Sequence, residues 1–515
     1  MRRVPPVVWA LVALHGLLLC CYALLFPPYS GFDEPQHVDQ VLHVAEGETW
    51  PWPGPGEEPL SQGVANSSNP VYFGALRKQP YTNDPYPDRG DRKTLRELGG
   101  MAPATQNYPN QMVQHPPAYY ALGAVVLKAW PGDPLDLPYD RVVYLLRLLS
   151  VVLMLPIPLL GFFAAERLAG RSAGVTAAAL GLAVPGLFRV GSSVTNDALL
   201  VLSVSALTLA LARVATGDVS RRTAFAVGGL LGLALLTKAF ALALPPFVFA
   251  AYLVNRRGWK LPWTPLALSL GTAGVIGGPW YVMDLVRFGT LQPDGLGPKA
   301  SAIFKGPATP GVERPISIYV RELSKNLNRR FWGAIGMTDA PSLPTTLCYG
   351  LTVLLLVLIV VALVRRPERW RLAALLVPLP LVLAVVIQGS FKAYRFNGHL
   401  PGVQGRYLYP ALVSLAIGGA LGVVTLLGRR WAPLLALVGA LLVQAWAFSI
   451  ILRAYWLPGS DVSAGWHGIL HWSAWPAPIT VIPLVGMPLA ALAALGFAAR
   501  EHEPETSDPH PVIAG

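Results

Sequence analysis

The residues best suited to chemistry follow the first apolar run, in Gly31-Phe32-Asp33-Glu34-Pro35-Gln36-His37. Two adjacent carboxylates stand there, and His37 comes one helical turn after Asp33, so the two could share a face. A carboxylate shielded from water has its pKa raised toward the range of a working general base. An acid ahead of Pro35 is also good helix-start chemistry, and the local sequence supports both readings. Downstream, His115-Pro116-Pro117 opens a short helix and fixes its entry. His115 could sit there beside the acids as a substrate ligand. Asn196-Asp197 marks the end of an apolar segment, where an ionisable residue is costly unless satisfied. Asp197 is either a cap or a group that holds a substrate hydroxyl or orients His37 or His115.

The cations come from farther along. Thr237-Lys238 lies between two apolar segments, Gln404-Gly405-Arg406-Tyr407 precedes another, and Arg141 and Arg147 open a third. Lys is a point charge and Arg a planar fork, and both suit phosphate oxygens. Each could instead anchor its helix at the interface. Gathered around one cavity they imply an anionic ligand, and at a lipid boundary that is a lipid phosphate. Phe331-Trp332-Gly333 and the tryptophans at 456, 466, 472 and 475 are aromatic-belt residues, with sugar stacking a second role for Trp332. Phosphate-loop, H-E-x-x-H, C-x-x-C and G-x-S-x-G signatures are absent from the sequence. Any chemistry must therefore come from isolated polar groups brought together by the fold.

The elements that must position them are membrane spans. Of the 515 residues, 53% are apolar and 13% are charged, about half the charge of a soluble domain. Apolar segments near 20 residues recur at about 7–27, 141–164, 172–190, 197–214, 222–237, 239–254, 261–283, 346–364, 372–388, 407–427, 431–452 and 477–498. These predict an all-α, polytopic bundle of about twelve spans. The stretch 117–130 is too short to cross and reads as interfacial. With Arg2 and Arg3 cytoplasmic, the clusters at 167/171, 213/221/222, 256/257/260, 365–371 and 429/430 all fall inside, as the positive-inside rule requires. The net charge of +12 then sets orientation and does not point to nucleic acid. Residues 1–500 form the membrane domain. Two long extracytoplasmic loops, 28–140 and 284–345, are rich in Pro, Gly, Trp and Tyr and read as ordered lids. The first carries interfacial helices. Residues 501–515 read as a disordered cytoplasmic tail. Both termini are cytoplasmic in this arrangement, and the candidate site is extracytoplasmic. The three cysteines offer no disulfide framework.

Together these residues resemble the GT-C class of membrane glycosyltransferases. Phe32-Asp33-Glu34, His37 and His115-Pro116-Pro117 are similar to the first-loop pattern of protein O-mannosyltransferases. Arg147-Leu148-Leu149-Ser150, Asn196-Asp197, Thr237-Lys238, Gly278-Pro279-Trp280-Tyr281 and Gln404-Gly405-Arg406-Tyr407 resemble a bacterial multi-pass family catalogued as domain of unknown function 2142. Two departures set the chain apart from the mannosyltransferases. Ala118-Tyr119-Tyr120 follows the prolines in place of glycine-lysine, and a large lumenal insertion is missing. The resemblance implies a polyprenyl-phosphate sugar as donor, hexosyl or pentosyl transfer with inversion, and a glycan, lipid or protein acceptor in the cell envelope. It casts Asp33 or Glu34 as catalytic base. His37, His115, Asn196, Asp197, Lys238, Arg406, Tyr407, Arg147 and Trp332 become the substrate-binding set. Mg²⁺ or Mn²⁺ on Asp33, Glu34 and Asp197 is an open alternative. Rival readings are a transporter or flippase for a lipid-linked sugar, a non-catalytic envelope-assembly protein, and a polymerase or ligase using lipid-diphosphate donors.

Overall fold

The computed structural model describes residues 4–47, 52–76, 86–105, 109–255, 260–297, 309, 312, 314–336, 341–398, 400, 403–457 and 461–501. The described residues form helices and no extended strands, only isolated bridges. The expected tail beyond residue 501 and the basic pair 256/257 lie outside them.

Helix α1 (Pro6–Leu25) starts on Pro6 and stops before Pro27-Pro28, which cannot continue it. Residues 28–140 contribute α2 (Glu34–Glu46), α3 (Gln62–Leu76) and α4 (Ala118–Ala129). The bundle continues with α5 (Tyr139–Met154), α6 (Ile157–Ala169), α7 (Arg171–Leu180), α8 (Pro185–Gly191) and α9 (Asp197–Ala215). Next come α10 (Arg221–Leu235), α11 (Pro245–Leu253) and α12 (Trp263–Phe288). Residues 284–345 hold α13 (Ile316–Trp332). The chain ends with α14 (Thr345–Arg365), α15 (Arg369–Leu375), α16 (Pro378–Asn397), α17 (Leu412–Tyr455), α18 (Val462–Trp472) and α19 (Ala477–Arg500).

Among the described residues, eight helical stretches are long and apolar enough to cross a membrane. A ninth arises if the pair Arg171–Ala183 and Pro185–Gly191, bent by 74° at Pro185, is one span. Length therefore does not supply the count of twelve. The segments expected at 222–237 and 239–254 fold as helices of 15 and 9 residues, and a 15-residue helix reaches only about 22 Å. One of the eight, Gly405–Tyr455, contains a reversal. Gly428 has φ 74° and ψ 164°, outside helical values. Gly419 faces Leu180, while the Gln444 amide donates to the Leu182 carbonyl at 2.7 Å. Positions 419 and 444 of a straight helix would stand about 37 Å apart, so the chain doubles back at Gly428. Arg429 and Arg430 sit at this turn, where the sequence places an inner loop.

The deep core joins α1, α5–α9 and α17, with Leu11, Leu14, Phe188, Val204, Leu207, Ile417 and Leu421 all fully buried. The flanking helices are turned outward: only 22% of the central stretch of α14 is buried, and 17% of that of α19. Apolar helices this exposed are what a place in a membrane requires. At one end of the bundle the chain brings together the start of α2, the start of α9, the end of α10 and a 3-10 segment over Gly405–Ala411.

Candidate active site

The turn between α1 and α2 sets the two carboxylates. Asp33 has φ 55° and ψ 21°, a left-handed conformation that Asp tolerates better than most residues. Among the described residues only Tyr29 shares a positive φ without being glycine. This turn sends the adjacent acids in opposite directions. Glu34 is fully buried. Its carboxylate accepts from Arg147 Nε at 2.8 Å and Nη2 at 2.7 Å, and from the backbone N–H groups of Gly31 and Val194 at 2.9 Å each. Arg147 spends its other N–H groups on the carbonyls of Ala23, Phe26 and Pro27. It thereby satisfies carbonyls left unpaired at the end of α1. Burial pushes the Glu34 carboxyl up, but Arg147 and the Val194 amide outweigh it and hold the group below its usual range. Glu34 and Arg147 thus form a closed, charge-matched brace.

Asp33 points the other way, with 37% of its side chain exposed. Its carboxylate accepts from Arg406 Nη2 at 2.7 Å and from the Gln111 amide at 3.3 Å. Arg406 Nε lies 3.5 Å from Asp197 Oδ2, and Lys238 Nζ donates to Asp197 Oδ1 at 2.5 Å. The order Asp33–Arg406–Asp197–Lys238 alternates acid and base through residues from four separate elements. Arg406 reaches its place because Gly405 lets the 3-10 segment cross the end of α13. A Cβ at 405 would lie 2.1 Å from the Phe331 backbone nitrogen.

Aromatic rings wall this chain of charges. Lys238 Nζ stands over the rings of Tyr407 and Phe240, and Arg406 over Phe32 and Tyr407. These contacts suit cations. His37 stacks against His115 at 6.5 Å and against Tyr120 at 5.9 Å, with its Nδ1 hydrogen-bonded to the Tyr120 hydroxyl at 3.1 Å. Burial and the nearby Lys238 and Arg406 cations hold the His37 imidazole well below its ordinary pKa. Burial, Lys238 and His37 do the same for His115. Both rings are therefore neutral. The Asn196 amide donates to the Thr237 carbonyl at 3.4 Å, which ties the start of α9 to the Lys238 segment.

Of the residues singled out in the sequence, Asp33, His37, His115, Asn196, Asp197, Lys238, Arg406 and Tyr407 meet in this cluster. Glu34 and Arg147 form the brace beneath it. Trp332 stands apart: its indole donates to Thr352 Oγ1 at 2.7 Å, and with Phe331 it borders an apolar cavity of about 360 Å³ between α7, α14 and the two arms of α17. Sequence reasoning missed Gln111, and it gave no site role to Phe32 or Tyr120, although both stand beside the motifs it quoted. It also missed Arg189, although an arginine inside an apolar segment is a signal. Arg189 is buried and bonds the carbonyls of Ser30 and Ile335 and the Ser193 hydroxyl, joining the turn before Asp33 to the segment after α13. Asp33, Glu34 and Asp197 do not converge on a common point. Arg406 stands between the first and last, and Arg147 engages the second. Among the described residues no group of three or more His, Cys, Asp or Glu side chains could hold a metal ion.

A family model described as "Predicted membrane protein (DUF2142)" matches residues 17–415. No curated protein matches the chain. Among solved structures, ArnT from Cupriavidus metallidurans bound to undecaprenyl phosphate is 16% identical, covering 94% of this chain and 76% of its own at a TM-score of 0.45. The apo oligosaccharyltransferase of Archaeoglobus fulgidus is 12% identical, covering 97% of this chain and 57% of its own at a TM-score of 0.44. The oligosaccharyltransferase AglB of that organism, in complex with an inhibitory peptide and a dolichol-phosphate, is 13% identical, covering 96% and 55% at a TM-score of 0.37.

Proposed function

We propose that this chain, which belongs to the DUF2142 family of predicted membrane proteins, is a glycosyltransferase. It moves a sugar from a polyprenyl-phosphate donor to a hydroxyl of an envelope glycan, lipid or protein on the extracytoplasmic face. The carrying observation is the chain Asp33–Arg406–Asp197–Lys238, in which one partly exposed carboxylate is linked to two buried cations.

The chemistry follows from those atoms. The donor phosphate binds Arg406 and Lys238, cations already held in place by Asp197. Arg406 then turns part of its fork from Asp33 to the phosphate, and Asp33 is freed to accept a proton. The acceptor oxygen attacks the anomeric carbon from the face opposite the phosphate, and its proton passes to Asp33. The bond between anomeric carbon and phosphate oxygen breaks, and its electron pair leaves with the polyprenyl phosphate. Lys238 and Arg406 match the charge that develops there. A phosphate leaving group needs no proton, so a second carboxylic acid has no role. That agrees with Glu34 being wholly engaged by Arg147. The neutral His37 and His115 rings wall the pocket without adding charge. The apolar cavity beside Phe331 and Trp332 suits an isoprenoid tail, and the 3-10 segment carrying Arg406 runs directly into Leu412 at its border.

Purified protein in lipid nanodiscs, given radiolabelled hexosyl and pentosyl polyprenyl phosphates with envelope glycan, lipid and peptide acceptors, should release free polyprenyl phosphate. The Asp33→Asn protein should not. A wild-type protein that binds or translocates these lipids while leaving the sugar–phosphate bond intact defeats the assignment in favour of a transporter.

A further inference from the structure

Gln40 lies on α2 two turns beyond Asp33. It is completely buried, and neither its amide nitrogen nor its amide oxygen has a hydrogen-bond partner. A buried polar group left wholly unpaired is rare in folded proteins and calls for an explanation. Another buried glutamine of the bundle is fully paired. Gln444 is equally buried, and its amide accepts from the Tyr22 hydroxyl at 2.9 Å and donates to Leu182.

Gln40 has company. Gln36 Oε1 and His115 Nδ1 are also buried without partners. At 3.6 residues per turn, positions 36, 37 and 40 lie within about 60° of the direction of Asp33 on α2. His37, between the two glutamines, stacks on His115. Gln36 and Gln40 therefore share the helix face that begins at the partly exposed Asp33, and His115 meets that face through the His37 ring. An apolar ligand would leave them all unsatisfied. A small anion would meet two neutral acceptors. A polyhydroxylated ring satisfies them, because each hydroxyl both donates and accepts, and an amide offers one donor and one acceptor to neighbouring hydroxyls.

We propose that Gln40, with Gln36 and His115, is the recognition site for the hydroxyls of the transferred sugar and determines which sugar the protein accepts. This rests on the glycosyltransferase reading and extends it to the sugar, since the phosphate is bound by different residues, Lys238 and Arg406.

The test compares binding of free polyprenyl phosphate with binding of a panel of hexosyl and pentosyl polyprenyl phosphates, on wild type, Gln40→Met and Gln40→Glu, with melting curves for each. Wild type should bind at least one sugar-bearing lipid more tightly than the free lipid phosphate. Gln40→Met should reduce that increment roughly tenfold, the scale of one or two lost hydrogen bonds, and leave binding of the free lipid phosphate unchanged. Its melting temperature should equal or exceed wild type, because an apolar side chain of similar shape replaces an unsatisfied amide. Gln40→Glu should change the rank order of sugars. The inference is overturned if Gln40→Met keeps the full sugar increment, if it melts lower while binding is unaffected, or if wild type makes no distinction between sugar-bearing and free lipid. Failure of wild type to bind polyprenyl phosphate at all would instead strike the function proposed above.

Discussion

Substituting each member of the Asp33–Glu34 pair separates the proposed base from the brace. Removing the Glu34 carboxylate strips Arg147, itself fully buried, of two charge-assisted hydrogen bonds and orphans the Gly31 and Val194 amides. Breaking a buried ion pair by deleting one partner costs about 3–5 kcal/mol. The three backbone carbonyls still held by Arg147 place Glu34→Gln toward the lower end and Glu34→Ala toward the upper. Asp33 is partly exposed and pairs with an Arg406 that keeps Asp197, so Asp33→Asn should cost no more than about 1 kcal/mol. Activity should invert this order. Losing a general base lowers turnover about 10²–10⁴-fold, whereas the folded fraction of Glu34→Gln should retain most of its turnover. Thermal melts of the purified proteins, with transfer rates normalised to folded protein, read both axes. A Glu34→Gln protein that melts like wild type but is inactive, beside an active Asp33→Asn protein, would refute the reasoning.

Further outcomes follow from the same geometry. Lys238→Ala and Arg406→Ala should each weaken polyprenyl phosphate binding by about 1.5–3 kcal/mol, the worth of a hydrogen bond to a charged group. Equilibrium binding in nanodiscs checks this, and unchanged affinity in both variants counts against the phosphate site. His37 and His115 have lowered pKa values in the folded protein, so below about pH 6.5 the unfolded chain binds more protons than the folded one. Their contribution is intact above that pH and is lost as the pH falls toward the folded values, by about 1.4 kcal/mol per pH unit for each ring. A melting series from pH 7.5 to 5 should decline more steeply for wild type than for a His37→Gln, His115→Gln double variant. Parallel curves would show that the rings do not stay neutral.

Much of the site is legible in the sequence because membrane topology is a one-dimensional problem. Runs of apolar residues and clusters of arginine place Asp33, Asp197, Lys238 and Arg406 at the same end of alternating helices, and the fold joins them there. The roles of Asp33 and Glu34 are not legible. Adjacent residues of identical chemistry are separated only by a backbone reversal at Asp33, and that reversal depends on Arg147 and Val194, more than a hundred positions away. Arg147 reads as a phosphate ligand for the same reason, since its partner is chosen by packing. Helix length leaves the count of twelve spans unconfirmed for a related reason. Hydropathy divides 222–237 from 239–254 at Lys238, as the structure does, but does not show that these segments fold as helices of only 15 and 9 residues. Gln40 looks like any polar residue on an amphipathic helix until its lack of partners is seen.

The sharing of Arg406 between Asp33 and Asp197 makes the pocket electrically silent at rest, with two positive and two negative side chains. Dissolved sulfate or inorganic phosphate must therefore displace a resident carboxylate using nothing but its own charge. A headgroup tethered in the bilayer arrives at high local concentration and can win that exchange. In the proposed function, this self-neutralisation would favour a membrane-tethered headgroup over the anions of bulk water.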